Sequence, residues 1–436
     1  MKGYGIALGG GGAKGSYEIG VWKALRELQI PIAAVAGTSV GALNGAIIVQ
    51  DEYELAHELW CNIEMQKIIN LSCTSILDGK PFTAKELAIS IKEILENGGV
   101  DVTPLKEILR TYIDEKRIRT SPIEFGLVTF SLSSMKPQIV YKNDIPEGKM
   151  VDYLLASSCF PLFKPQEIGK DKFIDGGIYD NLPVSVLADR GYKDIIVIDV
   201  SGIGRVRKVK RNDLSIVTIK NSEFLGKTFQ FDGETCKRNI KIGYLDTMRV
   251  FGEYAGKRYY ISKHWREQGP MYPLNDEEQK KLNSLLELNL TAFSPDRLAN
   301  YSLIRTLYKY SEGKLDSRTL VNAAAEITAE VLDVDRLDIY TWDELAAAIM
   351  KAYNEIRESS YFKDSLKDIR KLLKHRKKSG LELMDSRFIA SYLSSFSEAD
   401  KRMISIRKFL AVFLPKTCIA SLFLSMLSKR VSKHSI

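Results

Sequence analysis

Two short glycine-rich segments, each lying between a predicted strand and a predicted helix, constrain this chain most strongly. The first runs from Gly9 to Gly15 as GGGGAKG, after the apolar run Tyr4–Leu8 and before a helix that starts near Ser16. Glycines in such a turn adopt backbone dihedrals that other residues avoid, and they bring N–H groups close to a ligand. Because the N-terminus of a helix is electropositive, the loop predicts a site for negative charge.

The second segment is Gly37-Thr38-Ser39-Val40-Gly41, which follows the predicted strand Ala33–Ala36 and precedes the helix-forming run Ala42–Ala46. A GxSxG sequence in a strand–turn–helix context is typical of a nucleophile elbow, in which a sharp turn leaves the serine exposed at the top of a sheet. The isolated motif is a weak signal because glycine and serine are common in loops. In this context it predicts that Ser39 is a nucleophile.

The first glycine loop has two chemically different interpretations. Its Gly10-x-Gly12-x-x-Gly15 spacing satisfies the dinucleotide-binding pattern, but that pattern also needs an acidic residue about 20 positions later. Ala33–Gly37 contains no acid, and the phosphate-loop pattern fails because Gly15 is followed by Ser16 and not by lysine. We therefore expect the loop to supply oxyanion-hole donors, with nucleotide binding as the less favoured alternative.

A serine hydroxyl needs a base to take its proton before it becomes a good nucleophile. In the chain order Ser…Asp…His of α/β-hydrolases, His264 is the first candidate, but its surroundings show no special turn chemistry. Asp175 is the second candidate, because it follows a short apolar strand and precedes Gly176 and Gly177. Taken alone, Asp-Gly-Gly is typical of an ordinary turn.

The three motifs together resemble those of the patatin-like phospholipase family. The family's GGGx[KR]G, GxSxG and DG[GA] motifs are similar to Gly10–Gly15, Gly37–Gly41 and Asp175–Gly177. The segments Ala156–Phe163 and Asn181–Pro183 look like those before and after the family's aspartate. The resemblance covers about residues 3–262, and a run near residues 239–246 is similar to one in bacterial members.

The resemblance implies a patatin-like three-layer α/β/α fold with a central, mostly parallel sheet. It also implies a catalytic dyad of Ser39 and Asp175 without a histidine, and backbone amides of Gly11 and Gly12, with Gly10 alongside, that stabilise the oxyanion. The residues that would support these motifs are Lys14, Gly15, Gly37, Gly41, Gly176 and Gly177. The implied activity is lipid acyl ester hydrolysis of the phospholipase A or lysophospholipase type, with no metal and no cofactor. A catalytically silent lipid-binding or scaffold protein on the same fold is the alternative.

Strands alternating with helices predict an α/β sheet in the first half of the chain. The strands are predicted at Tyr4–Leu8, Ala33–Ala36, Phe125–Ser131, Gln138–Tyr141, Lys172–Ile174, Asp194–Val200 and Leu214–Lys220. Between them, apolar residues three and four positions apart predict helix at Leu87, Ile91, Ile94 and Leu95. We expect an acyl hydrolase domain over residues 1–262 and an all-helical region over 263–436.

The charge distribution along the chain indicates which kind of binding partner to expect. The net charge is +8, and all of this excess lies in residues 401–436, which contain eight Lys and Arg and no Asp or Glu. A neutral body with a basic, apolar end favours an anionic membrane over nucleic acid. The five cysteines form no CxxC pair and the N-terminus lacks a signal-peptide core, so we expect a cytoplasmic protein. Peripheral contact with a membrane is a further hypothesis.

The apolar run Phe409–Leu427 has three interpretations. It is nearly long enough to span a bilayer, which takes about 20 residues, but Lys416 beside Pro415 would lie near the bilayer centre. It could instead form a buried last helix. A third interpretation is a segment, within residues 403–436, that lies at an anionic membrane surface and uses flanking bases such as Arg407 and Lys408.

Overall fold

The computed structural model describes residues 3–70, 98–262, 297–311, 317–375, 383–396 and 400–434. The chain divides into two compact units, Met1–Phe251 and Gly252–Ile436. The sequence analysis ended the first region at residue 262. The structure divides the chain earlier because two short strands after Phe251 pair with each other and with a strand of the second unit. The helix predicted around Ile91 and the candidate His264 lie outside the described residues.

An eight-stranded sheet forms the centre of the first unit. Its strands are β1 (Tyr4–Leu8), β2 (Ile32–Thr38), β3 (Glu124–Ser131), β4 (Lys136–Tyr141), β5 (Gln166–Ile168), β6 (Asp171–Asp175), β7 (Asp194–Asp199) and β8 (Ser215–Lys220). Their order is β5-β6-β3-β2-β1-β7-β8, and β4 pairs with β3. The central pairs are parallel, whereas β4, β5 and β6 pair antiparallel with their neighbours. The predicted α/β fold with a mostly parallel sheet is therefore confirmed.

Helices cover both faces of this sheet. They are α1 (Ser16–Glu27), α2 (Val40–Gln50), α3 (Tyr53–Cys61), α4 (Thr103–Tyr112), α5 (Glu115–Thr120), α6 (Met150–Ser157), α7 (Val184–Asp189) and α8 (Gly233–Val250). On one face, Val186 and Leu187 of α7 pack with Ala7 and Ala34 of the sheet. Because side chains alternate along a strand, Val35 points to the opposite face, where α2 packs.

The topology brings the three predicted motifs to one edge of the sheet. From β1 the chain proceeds to β2 and β3 on one side and later returns to β7 on the other side, so the strand order reverses at β1. In open α/β sheets, ligands bind at the carboxyl ends of the strands at such a reversal. The glycine loop and Ser39 follow β1 and β2 directly. Asp175 reaches the same edge because β6 runs back along β3 until Asp175 pairs with Thr129.

The second unit is mostly helical around its own core. Its helices are α9 (Arg297–Tyr310), α10 (Ser317–Val331), α11 (Trp342–Glu358), α12 (Ser360–His375), α13 (Ser386–Ser394), α14 (Lys401–Phe413) and α15 (Pro415–His434). The expectation of an all-helical region needs one correction, because Ile339–Tyr340 (β11) pairs with Tyr260–Ser262 (β10), which in turn pairs with Tyr254–Ala255 (β9). The buried Glu326 fixes this small sheet by accepting the backbone N–H groups of residues 257 to 259.

The apolar run near the C-terminus is part of this core. It is split between α14 and α15 at Pro415, and every residue from Thr417 to Leu427 is buried. Lys416 forms an ion pair with Glu330 at 2.9 Å, which gives its charge a partner within the protein. Arg407, which the interfacial hypothesis placed at a membrane surface, is buried and donates to the carbonyl of Leu393. Across the helices that the structure describes, none is both long and apolar enough to cross a bilayer.

Candidate active site

Ser39 occupies a strained turn between β2 and α2. Its backbone has φ 57° and ψ −129°, a region that costs a non-glycine residue about 1–3 kcal/mol. The turn closes because glycines flank it: a Cβ at Gly37 would lie 2.2 Å from the carbonyl oxygen of Gly41, and a Cβ at Gly41 would lie 2.5 Å from that of Leu8. Ser39 itself stays partly exposed, as expected of the predicted nucleophile.

Asp175 supplies the carboxylate that contacts the Ser39 side chain. It is buried, with 6% of its surface exposed, and it accepts hydrogen bonds from the Ser39 side chain and from the N–H of Gly177, the latter at 2.7 Å. Burial raises the pKa of Asp175 to about 6, and the two hydrogen bonds offset part of that effect. The group is therefore mostly ionised at neutral pH and basic enough to accept a proton. Gly176 allows this approach, since a Cβ there would lie 2.2 Å from the carbonyl oxygen of Val128.

One short segment at the end of α6 holds the backbones of both residues. The Ser157 hydroxyl accepts the N–H of Ser39 at 3.1 Å and donates to the carbonyl of Val128 at 2.7 Å. Two residues later, the carbonyl of Cys159 accepts the N–H of Asp175 at 2.7 Å. The sequence analysis noted this segment only as similar to the family and assigned it no role. Nothing local to Ser157 marks it, because its partners are 29 and 118 positions away.

The glycine loop is fixed by Asn181, which changes the predicted set of oxyanion donors. The N–H of Gly10 donates to the Asn181 carbonyl at 3.2 Å, and the Asn181 side-chain amide donates to the Gly10 carbonyl at 3.1 Å. The N–H of Ala13 donates to Thr228 at 2.8 Å. Within the described ranges, the N–H groups of Gly11 and Gly12 have no partner in the protein. Gly10, predicted alongside these two, has its amide occupied, so two donors remain for a ligand.

The other predicted members of this motif anchor the loop to its neighbours. The Lys14 ammonium donates to the Ser201 carbonyl at 2.9 Å, just after β7. The Gly15 carbonyl accepts the side-chain amide of Asn44 at 2.9 Å. That amide also donates to the carboxyl group of Glu18 at 2.7 Å. Burial raises the pKa of Glu18 to about 8, so this carboxyl group is largely neutral at pH 7.

Ser39 opens onto an apolar cavity of about 330 Å³ within the first unit. Gly12 and Ser39 lie at one part of its wall, and the rest is mainly aliphatic and aromatic, including Leu43, Ile47, Leu59, Phe160, Phe163 and Phe229. The ring of Phe229 contacts those of Phe160 and Phe163, with centroids 5.1 and 6.1 Å apart. These residues come from distant parts of the chain, so no local sequence pattern indicates the cavity.

None of the histidines that the structure describes lines the cavity beside Ser39. His57 is an exposed residue of α3 whose ring lies against Tyr53. His375 and His434 belong to the second unit. In the described part of the chain, no group of three His, Cys, Asp or Glu side chains is placed to hold a metal ion. The arrangement suits acyl transfer: a serine hydroxyl on a carboxylate, two amides beside it, and an apolar cavity.

Comparison with known proteins gives matches for the first unit. Residues 6–188 match the family model described as Patatin-like phospholipase. A patatin-like phospholipase domain-containing protein of Caenorhabditis elegans is 27% identical over 203 residues, which are 46% of this chain and 14% of that protein. The lysophospholipase nte1 of Aspergillus terreus is 52% identical over 200 residues, which are 46% of this chain and 12% of that protein. The matches thus span only a small part of these relatives.

Among solved structures, VipD from Legionella pneumophila aligns with 96% of this chain and 92% of its own. The identity is 14% and the TM-score is 0.38. A likeness this low implies nothing about the activity of this chain.

We predict that the reactivity of Ser39 follows the ionisation of Asp175. Only the carboxylate can accept the serine proton, so labelling of Ser39 by a fluorophosphonate should slow about tenfold per pH unit below the pKa and level off above it. Because burial raises that pKa to about 6, the midpoint should lie near pH 6. Labelling rates measured from pH 4.5 to pH 7 test this. A midpoint near pH 4, or no dependence on pH, would contradict it.

We also predict that Ser157 positions the nucleophile. Ser157→Ala removes the acceptor of the Ser39 N–H, so labelling of Ser39 should slow about tenfold, with a destabilisation of about 1–3 kcal/mol from the unpaired groups. Ser158→Ala is the matched control, because the Ser158 hydroxyl bonds only to carbonyls of its own helix. Equal labelling rates in the two variants would show that the Ser157 contact is unimportant.

Proposed function

This chain belongs to the patatin-like phospholipase family through residues 6–188, and from that membership we propose that it is a lipid acyl hydrolase. The substrates would be fatty-acyl esters of phospholipids or lysophospholipids. The observation that carries this proposal is the hydrogen bond between Ser39 and the buried Asp175 beside an apolar cavity. The name of the Aspergillus terreus relative, a lysophospholipase, supports monoacyl phospholipids among the substrates.

In the proposed mechanism, Asp175 accepts the proton of Ser39 while the serine oxygen attacks the ester carbonyl. Negative charge then develops on the carbonyl oxygen, and the N–H groups of Gly11 and Gly12 stabilise it. Losing one such donor typically slows catalysis roughly 100- to 1000-fold. Asp175 returns its proton to the departing alcohol, leaving an acyl group on Ser39. Water then gives a proton to Asp175 and attacks the acyl-enzyme, and Asp175 returns that proton to the Ser39 oxygen as the fatty acid leaves.

The apolar cavity is the proposed site for the acyl chain. It begins at Gly12 and Ser39, where the ester would react, and most of its lining side chains are aliphatic or aromatic. Each buried CH₂ group contributes about 0.8 kcal/mol. An acyl chain seated there would therefore be favoured over an acetyl group, and the head group would remain nearer the opening.

The two alternative functions are less well supported. A silent lipid-binding protein on this fold would not need the hydrogen bond between Ser39 and Asp175. A diphosphate would require several free amides along the glycine loop, but those of Gly10 and Ala13 already donate to backbone carbonyls. The first alternative is tested directly by the substitutions described next.

We predict that Ser39→Ala and Asp175→Asn each lower the hydrolysis of a p-nitrophenyl ester by roughly 1000-fold or more, because each removes one member of the reacting pair. Asp171→Asn is the control, since this exposed carboxylate starts the same strand. His264→Ala should retain most activity. Initial rates measure the activity of each variant, and thermal unfolding checks that each variant is folded. Near-normal turnover by Ser39→Ala, or a larger loss in His264→Ala than in Asp175→Asn, would contradict the dyad.

We further predict that Phe229 selects for long acyl chains. Phe229→Ala removes part of the cavity wall, so kcat/KM should fall about tenfold for a long-chain ester but little for an acetate ester. Phe224→Ala is the matched control, because that ring is 72% exposed. The kcat/KM values of both variants with an ester series test this. A similar loss for acetate and long-chain esters would assign Phe229 a general structural role instead.

A further inference from the structure

A pocket in the second unit, distinct from the site of Ser39, combines positive charge with an apolar wall. It has a volume of about 290 Å³ and lies between α12, α13 and α14. Its lining residues are Arg370, Leu373, Lys374, Tyr392, Arg402, Met403 and Ile406. Three of the seven are cations and none is an acid, so the pocket is electropositive.

The three cations have no acidic partner among the residues that the structure describes. Across the described ranges, no carboxylate forms an ion pair with Arg370, Lys374 or Arg402. The acid nearest to Arg402 in sequence, Asp400, caps α14 by accepting the backbone N–H of Arg402. Arg387, another cation of this unit, does have such a partner, Asp385, at 2.6 Å. Three like charges around one small pocket repel each other, and an anion between them would remove that repulsion.

The remaining lining residues indicate what kind of anion fits. Leu373 is buried, and Met403 and Ile406 are partly buried, so they give the pocket an apolar wall next to the charges. The Tyr392 ring lies 5.9 Å from the Arg370 guanidinium and carries a hydroxyl that can donate to an oxyanion. Guanidinium groups suit phosphate particularly well, because their planar N–H groups match its oxygens. A small inorganic anion would use the cations and leave the apolar wall uncovered.

We propose that this pocket binds the headgroup phosphate of an anionic phospholipid. Arg370, Lys374 and Arg402 contact the phosphate, and Leu373, Met403 and Ile406 contact the glycerol and the first carbons of the acyl chains. Membrane contact by the second unit then depends on this pocket. It does not depend on the apolar side chains of α15, which the core already buries. The proposal does not require the chain to be a hydrolase.

The test uses the full chain carrying Ser39→Ala, so that no vesicle lipid can be consumed. Vesicles are made of phosphatidylcholine alone or of phosphatidylcholine with phosphatidic acid, and binding is measured by co-sedimentation. We expect binding only with phosphatidic acid. Combining R370Q, K374Q and R402Q should weaken it at least about tenfold, given that each base near an anionic surface contributes appreciably. Thermal unfolding checks that the variant is folded.

A matched control separates this pocket from diffuse charge attraction. Combining K363Q, K367Q and K371Q removes the same charge from exposed positions of α12 that do not line the pocket. This control should keep most of the vesicle binding. If both triple variants lose binding equally, or if neither loses it, the proposal is overturned.

A competition experiment distinguishes the source of the phosphate. Inorganic phosphate is added to vesicle-bound protein at constant ionic strength, with chloride as the reference salt. We expect little displacement beyond that caused by chloride, because inorganic phosphate gains nothing from the apolar wall. Inorganic phosphate could instead displace the protein efficiently, and this effect could disappear when Arg370, Lys374 and Arg402 are replaced. That result would overturn the lipid assignment in favour of a site for free phosphate.

Discussion

The burial of the Asp175 carboxylate is the constraint on which the rest of the site depends. Removing a carboxylate from water is costly unless hydrogen bonds replace its hydration. Here the replacements come from the Ser39 side chain and the Gly177 N–H. The remaining desolvation raises the pKa of Asp175 to about 6. A well-solvated aspartate would be too weak a base for a serine, and a fully desolvated one would stay protonated at neutral pH.

This balance requires backbone positions to be held closely, and the structure does so with contacts between segments far apart in sequence. Ser157 and Cys159 hold the N–H groups of Ser39 and Asp175, and Asn181 holds both polar groups of Gly10. A strained residue such as Ser39 persists only when its surroundings determine its conformation. The same contacts that stabilise the turn therefore also orient the side chains of Ser39 and Asp175 toward each other.

The sequence could predict what short-range patterns encode. Ser39 and Asp175 follow strands and precede glycines, so their places at one edge of a parallel sheet could be expected. The glycine loop was predicted as a whole, but the occupation of the Gly10 amide depends on Asn181, which is 171 positions away. Likewise, hydropathy alone could not decide where Phe409–Leu427 lies. The ion pair of Lys416 with Glu330 and the burial of Phe423 are long-range contacts.

A second buried carboxyl group, Glu18, completes the electrostatics of this region. It accepts a hydrogen bond from Asn44, which also lines the apolar cavity, and it interacts with the Gly9 backbone at the start of the glycine loop. Burial raises its pKa to about 8, so it is mostly uncharged where Asp175 is ionised. An ionised Glu18 beside the loop would oppose the negative charge that develops on a substrate oxygen. Two carboxyl groups of the same domain thus differ in charge at neutral pH: each is desolvated by burial and accepts two hydrogen bonds, but these bonds offset the burial less fully at Glu18 than at Asp175.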